Sequence, residues 1–84
     1  MFLYILKFIY SNSLDALENW DVSNVTTLRS MFSECPNLTN VDSINNWDIN
    51  RNIEFYQMFY NSSSHPDFIK VAGTWNNQGT FIPD

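Results

Sequence analysis

The acidic residues that follow two tryptophans are the first candidates for chemistry in this sequence. Asp21 follows Trp20 directly, and Asp48 follows Trp47. Two carboxylates can serve as acid and base in glycoside hydrolysis if their surroundings separate their pKa values. Equivalent positions of a repeat have equivalent surroundings, which favours a structural role in which the Asp accepts hydrogen bonds from a turn or a helix start. We predict no catalytic residue.

The other candidates for site chemistry are equally isolated. Asp15 and Asp42 recur at the same interval as the two tryptophans and could hold Ca²⁺ if they aligned, but no glycine-rich loop accompanies them, so a solvated edge is favoured. His65, the sole histidine, lies in the polar stretch SSSHPDF without a nucleophile to activate. Cys35, the sole cysteine, fits a small core hydrophobe. We therefore predict no enzyme activity, metal or cofactor.

The composition indicates a folded chain and restricts its partners. The 84 residues suffice for one domain, with 44% hydrophobic and 17% aromatic residues. Nine acidic residues against four scattered basic ones give a net charge of −5, which repels a phosphate backbone and argues against nucleic-acid binding. The apolar stretch MFLYILKFIY contains Lys7 and is about half as long as a bilayer span, so no membrane span is predicted.

The chain contains an internal repeat. Trp20 and Trp47 define its period, Trp75 continues that period one position late, and a Met-Phe pair follows each of the first two tryptophans at the same distance. A single repeat domain over 1–84 is therefore predicted. Its parts are an apolar N-terminal segment or degenerate repeat at 1–13, a first repeat at 14–40, a second repeat at 41–68 and a partial C-terminal repeat at 69–84.

Apolar spacing predicts a helix in each repeat. In the first repeat, apolar residues from Val25 to Cys35 recur at helical spacing, with Ser23 or Asn24 as the N-cap and Pro36 after the end. In the second repeat, Asn52 is the expected cap, and the stripe comprises Ile53, Tyr56, Phe59 and Tyr60.

Short aliphatic segments complete the predicted unit. Val41 to Ile44 and Phe68 to Ala72 read as short strands. The predicted fold class is an α/β repeat, a short leucine-rich-repeat-like solenoid of about two and a half strand-turn-helix units. Its expected core anchors are Trp20, Val25, Leu28, Met31, Phe32, Cys35, Leu38, Val41, Trp47, Ile53, Met58 and Phe59.

The stretch WDVSNVTTLRSMFSECPNLTNVD resembles the BspA-like leucine-rich repeat surface proteins, also described as the mycoplasma-type lipoprotein repeat. The shared pattern is an aromatic-Asp pair, Ser-x-Val-Thr, Met-Phe, Cys, Asn-Leu and an aliphatic-Asp pair. The match is specific over Leu14 to Trp47, whereas from Trp47 to Phe59 only the first two and last two residues agree. This resemblance implies a leucine-rich-repeat-like stack on secreted or cell-surface proteins that mediate adhesion or protein contacts.

Two functions are compatible with these features. The first is a non-enzymatic repeat module for protein–protein or cell-surface contacts, with an unidentified protein or surface ligand as partner. The alternative is a structural, self-associating repeat fragment without a ligand, which forms homo-oligomers through an open repeat end. The resemblance implies a secreted or cell-surface location, although this chain shows no recognisable export signal.

Overall fold

A computed structural model describes residues 12–84, and its regular elements are short. They are two 3₁₀ turns, Asp15–Leu17 and Asp42–Ile44, and two antiparallel β-strands, Gly73–Trp75 (β1) and Phe81–Pro83 (β2). No α-helix occurs in this part of the chain. The predicted α/β solenoid of strand-turn-helix units is therefore wrong.

Consecutive tight turns replace the predicted helix of the first repeat. The Met31 N–H donates to the Leu28 carbonyl at 3.3 Å, and the Ser33 N–H donates to the Ser30 carbonyl at 3.2 Å. Ser30 and Glu34 both have a φ of 56°, in the left-handed region. A right-handed helix cannot continue through such residues. Successive four-residue turns nevertheless repeat apolar residues at three- and four-residue intervals, which explains the misleading pattern.

The second repeat also consists of consecutive turns. Gln57 (φ 51°) and Asn61 (φ 55°) are the counterparts of Ser30 and Glu34, one repeat later. Each is the third residue of a turn, the first closed by Met58 N–H to the Phe55 carbonyl and the second by Ser62 N–H to the Phe59 carbonyl, both at 3.1 Å. A positive φ at the third position is typical of type II turns. No helix forms here either, so Asn52 caps none.

Backbone groups that a helix would pair internally instead link the two repeats. Between residues 28 and 34 every second N–H donates to a carbonyl of the second repeat, at N···O distances of 2.6 to 3.0 Å. The four bonds join Leu28 to Glu54, Ser30 to Tyr56, Phe32 to Met58 and Glu34 to Tyr60. We call this set the inter-repeat ladder. Because alternate peptides pair between repeats and the others close turns, the backbone polar groups are satisfied without a helix.

The predicted strands are also corrected. Within Val41 to Ile44 the chain forms the second 3₁₀ turn, and after Phe68 it stays irregular until β1 begins at Gly73. The two repeats pair in a strand-like way only at two isolated parallel bridges, Ser13 with Asn40 and Thr27 with Glu54. Segments of four or five residues are too short for their composition to distinguish a strand from a turn.

The core consists largely of apolar residues that recur at the repeat period. Phe32 and Phe59 show this directly, since their ring centroids are 5.2 Å apart. Eleven of the twelve expected anchors are buried, namely Val25, Leu28, Met31, Phe32, Cys35, Leu38, Val41, Trp47, Ile53, Met58 and Phe59. At the far side of the second repeat, Phe81 of β2 packs against Phe55 at 5.1 Å, so the C-terminal hairpin covers that side of the core.

Trp20 is the exception among the anchors. Its side chain is 38% exposed, which corrects the prediction that it is buried. Its counterpart Trp47 is buried, and the Trp47 Nε1–H donates to the Leu17 carbonyl of the first repeat at 2.9 Å. The predicted N-terminal segment or degenerate repeat at 1–13 lies almost entirely outside the described residues.

No helix within residues 12–84 has the length and apolar character needed to cross a membrane.

Candidate functional site

The carboxylates considered for catalysis have structural roles or stand apart. Asp21 accepts hydrogen bonds from the Ser23 hydroxyl at 2.6 Å and from the Ser23 N–H at 3.1 Å. These two bonds, the hydroxyl first, lower the pKa of the Asp21 carboxyl, which is fully exposed. Ser23 therefore completes a turn with Asp21 and does not cap a helix. Asp48, its counterpart in the second repeat, is exposed.

Asp15 and Asp42 lie in the two 3₁₀ turns, where the Ser43 hydroxyl donates to the Asp15 carboxylate. This bond links the two turns through their side chains. Across residues 12–84 no group of three or more His, Cys, Asp or Glu side chains is arranged to hold a metal ion. The Asp15 carboxylate thus connects neighbouring repeats.

His65 and Cys35 have different surroundings. The exposed His65 ring stacks on Trp75, with centroids 5.0 Å apart and planes inclined by 21°.

Cys35 is buried, and this burial raises the pKa of its thiol. Its N–H donates to the Ser62 hydroxyl at 3.0 Å, and that hydroxyl donates to the Phe32 carbonyl at 2.6 Å. Cys35 is therefore a core residue whose backbone is anchored to the second repeat.

A polar and aromatic depression lies across the two repeats. Arg29, Glu54, Phe55 and Tyr56 line it, and its volume is about 500 Å³. The Arg29 guanidinium lies over the Tyr56 ring, with Cζ 5.3 Å from the ring centroid. Tyr56 is 52% exposed, which corrects its assignment to the apolar stripe of a helix. We call this depression the Arg29–Tyr56 site.

The inter-repeat ladder fixes the backbone of this site. The Glu54 backbone carbonyl accepts the Leu28 N–H at 2.8 Å, and the Glu54 N–H donates to the Thr26 carbonyl at 3.0 Å. The Tyr56 backbone carbonyl accepts the Ser30 N–H at 3.0 Å. The site is therefore assembled from both repeats on a hydrogen-bonded framework, which preorganises its side chains.

The electrostatics of the site leave the cation available. Among the residues described, no carboxylate forms an ion pair with Arg29, although Glu54 lines the same depression. A guanidinium over an aromatic ring is held by cation–π attraction and can still donate hydrogen bonds from its N–H groups. The site thus offers a donor fork, an acceptor carboxylate and an exposed aromatic ring.

A comparison of the two repeats by residue type does not find this site. Arg29 and Tyr56 occupy equivalent positions of the two repeats, as do Thr27 and Glu54. The buried pair Met31 and Phe32 recurs as Met58 and Phe59, whereas these exposed positions differ. The only available signal was that difference, because a polar residue and an aromatic residue one repeat apart become neighbours when the repeats pair.

The comparisons with known proteins place the chain in one family. A family model described as a Mycoplasma protein of unknown function, DUF285, matches residues 2–80. This is compatible with the mycoplasma-type repeat to which the first repeat is similar. No curated protein and no solved structure matches the chain. Since the matched residues make up almost the whole sequence, the chain belongs to the DUF285 family of Mycoplasma proteins.

Proposed function

We propose that this chain is a non-enzymatic module that binds a protein or a cell-surface ligand. The observation that carries the proposal is the Arg29–Tyr56 site, where a guanidinium that has no carboxylate partner within residues 12–84 lies on a half-exposed aromatic ring. Arg and Tyr are enriched among the residues that dominate binding energy at interfaces. Their placement on the inter-repeat ladder reduces the entropy lost when a ligand orders them.

The resemblance of the first repeat to BspA-like surface proteins supports the same function and adds adhesion to it. Membership of the DUF285 family agrees with a mycoplasma-type repeat. We propose in addition that the chain is related to the BspA-like surface proteins. A non-enzymatic role is further supported by Asp21, whose carboxylate is engaged by Ser23 within its own turn. A general acid or base needs instead to reach the proton that it transfers.

The binding function can be tested with labelled protein on intact cultured epithelial cells. Saturable binding of the fluorescent chain should be displaced by unlabelled chain. The double variant Arg29→Ala/Tyr56→Ala should weaken it about tenfold or more, because truncating such residues removes on the order of 1–2 kcal/mol each. The control is Lys70→Ala, which removes an exposed cation outside the site and should leave binding within about twofold of the unaltered chain.

Two results would contradict this proposal. One is the absence of saturable binding to the cells, and the other is equal binding by the double variant and the unaltered chain. Amide spectra of each variant should retain the dispersion of the folded chain, so that lost binding is not confused with lost structure.

Self-association without a ligand is the second candidate, and two exposed aliphatic side chains favour it. Ile69 is 66% exposed and Ile82, on β2, is 47% exposed. Sedimentation velocity from low to high concentration would then show oligomers, which Ile69→Asp/Ile82→Asp should dissociate. A strict monomer at high concentration would reject this alternative.

A further inference from the structure

We propose that the Arg29–Tyr56 site binds a carboxylated sugar of the hexuronic acid class. This inference rests on the binding function proposed above and names its ligand. It follows from what each side chain lining the depression can offer and from the backbone groups that are already engaged.

Arg29 selects a carboxylate. A guanidinium presents parallel N–H donors that match the two oxygens of a carboxylate in a bidentate pair. The Arg29 Cζ lies 5.3 Å from the centroid of the Tyr56 ring, which holds the guanidinium near the ring by cation–π attraction. A phosphate would also suit this fork, but its larger negative charge would lie beside Glu54 on a chain of net charge −5. Repulsion between like charges therefore favours the anion with the smaller charge, which is the carboxylate.

Glu54 selects hydroxyl groups next to that carboxylate. An ionised carboxylate only accepts hydrogen bonds, so its partner must be a donor. No intramolecular ion pair neutralises Glu54 within residues 12–84. A hexuronic acid carries several hydroxyls on the ring that bears its carboxylate, so one ligand can satisfy both Arg29 and Glu54. A simple aliphatic carboxylate has no such donors.

Tyr56 supplies an apolar surface for the ring. Its side chain is 52% exposed, and the depression that it lines has a volume of about 500 Å³, within the usual size range of small-molecule sites. One face of a pyranose presents C–H groups, which can lie against an aromatic ring, while the hydroxyls remain available at its edge.

The backbone argues against an extended peptide as ligand. Peptides that add to a sheet edge bind through free backbone N–H and C=O groups. At this site the Glu54 N–H and carbonyl and the Tyr56 carbonyl are already engaged in bonds to the first repeat. With these three backbone groups engaged, recognition relies mainly on side chains, which suits a ligand rich in hydroxyls.

The test is a titration of the ¹⁵N-labelled chain with tri-galacturonate, followed by amide chemical shifts. We expect saturable shifts centred on residues 28–30 and 54–56. Arg29→Ala should reduce the affinity at least about tenfold, Tyr56→Ser should reduce it about fivefold, and Lys70→Ala should leave it unchanged. Galactotriose, which has matching hydroxyls but no carboxylate, should bind at least about tenfold more weakly.

Three results would overturn the inference. Galactotriose binding as tightly as tri-galacturonate would remove the role of the carboxylate. Tighter binding of the tetrapeptide Gly-Asp-Glu-Gly at the same amides would identify an acidic peptide as the ligand. Absence of shifts with tri-galacturonate would reject the sugar, and the proposed binding function would then stand or fall separately on the cell-binding loss of Arg29→Ala/Tyr56→Ala.

Discussion

The second repeat has two neighbours, and it is joined to them in different ways. Towards the first repeat, four backbone carbonyls of the second repeat accept four backbone N–H groups in regular alternation. Towards the C-terminal hairpin, the Phe59 N–H donates to the Gly79 carbonyl at 3.0 Å, whereas the Gln57 N–H donates to the Thr80 side-chain hydroxyl at 2.7 Å. A regular backbone ladder is thus replaced by individually fitted partners.

The aromatic contacts differ in the same way. Phe32 and Phe59, equivalent residues of the two repeats, are inclined by only 32°. At the hairpin, Trp75 meets Phe59 at 89° and Phe81 meets Phe68 at 89°, both edge to face. The equivalent rings of the two repeats therefore meet at a smaller interplanar angle than these two pairs at the hairpin. The repeat pattern fades over residues 69–84, where the hairpin ends the core.

The largest expected effect comes from the contact between the repeats. Phe32→Ala removes a fully buried ring packed on Phe59 and should lower the free energy of unfolding by about 3–5 kcal/mol. The total free energy of unfolding of a small domain is only about 5–15 kcal/mol. Urea unfolding followed by tryptophan fluorescence measures the loss. Tyr56→Ala, at a half-exposed ring, is the matched control and should change stability far less.

Gly79→Ala should weaken the contact between the second repeat and the C-terminal hairpin. Gly79 has a φ of +69°, and a Cβ there would lie 2.5 Å from the Tyr60 nitrogen and 2.6 Å from the Phe59 carbonyl oxygen. The left-handed conformation and the overlap with backbone together should destabilise the hairpin by about 2–4 kcal/mol.

Hydrogen exchange distinguishes the two interfaces in this variant. The amides of Gln57 and Phe59 should lose protection, while those of Ser30 and Phe32 keep theirs, since they pair with the second repeat from its opposite side. Equal loss of protection at all four amides would show that the two interfaces open as one unit. The two interfaces would then not differ in stability.

Ser62→Ala tests a side-chain bond within the inter-repeat contact. The Ser62 hydroxyl accepts from the Cys35 N–H and donates to the Phe32 carbonyl, so its removal leaves two backbone groups without this partner. The expected loss of stability is about 1–3 kcal/mol. Ser63→Ala is the control, because the Ser63 hydroxyl donates only to the exposed Pro36 carbonyl. Equal losses in urea unfolding would contradict this distinction.

The smallest effect concerns pH. Asp21 accepts two bonds from Ser23, whereas in the second repeat the Asn52 N–H donates to the neutral Asn50 Oδ1 at 2.9 Å. The pKa of Asp21 is lowered in the folded chain, so its contribution to stability is present above the unfolded pKa and lost as pH falls through the folded pKa. Carboxyl NMR titration should show the pKa of Asp21 rising towards its ordinary value in Ser23→Ala. An unchanged midpoint would contradict the assigned cause.

The register of the two repeats could be read from the sequence, but their conformation could not. The spacing of Trp20 and Trp47 equals the offset of the bridge between Thr27 and Glu54. Buried residues must meet equivalent neighbours, which keeps their spacing visible. Consecutive turns and a helix give the same apolar intervals, so period alone could not separate them. Of the four left-handed residues other than glycine, only Asn61 is of a type that commonly adopts this conformation.

The candidate site could not be predicted from the sequence, because its residues differ between the repeats. Arg29 and Tyr56 become neighbours only once the register is known, and they are visible as a pair only because the two repeats differ there. Asp21 and Asp48 attracted attention because they are identical. The pair that lines the depression differs between the repeats, whereas the buried pair of Phe32 and Phe59 is identical.

The direction of the inter-repeat ladder limits the symmetry of any assembly built on it. Between residues 28 and 34 all four bonds run from N–H groups of the first repeat to carbonyls of the second, while the Glu54 N–H bond to the Thr26 carbonyl runs back. A twofold axis across the ladder would set its four donors against donors or its four acceptors against acceptors. Two chains could therefore extend these bonds only through unlike surfaces, which is a heterologous and not an isologous contact.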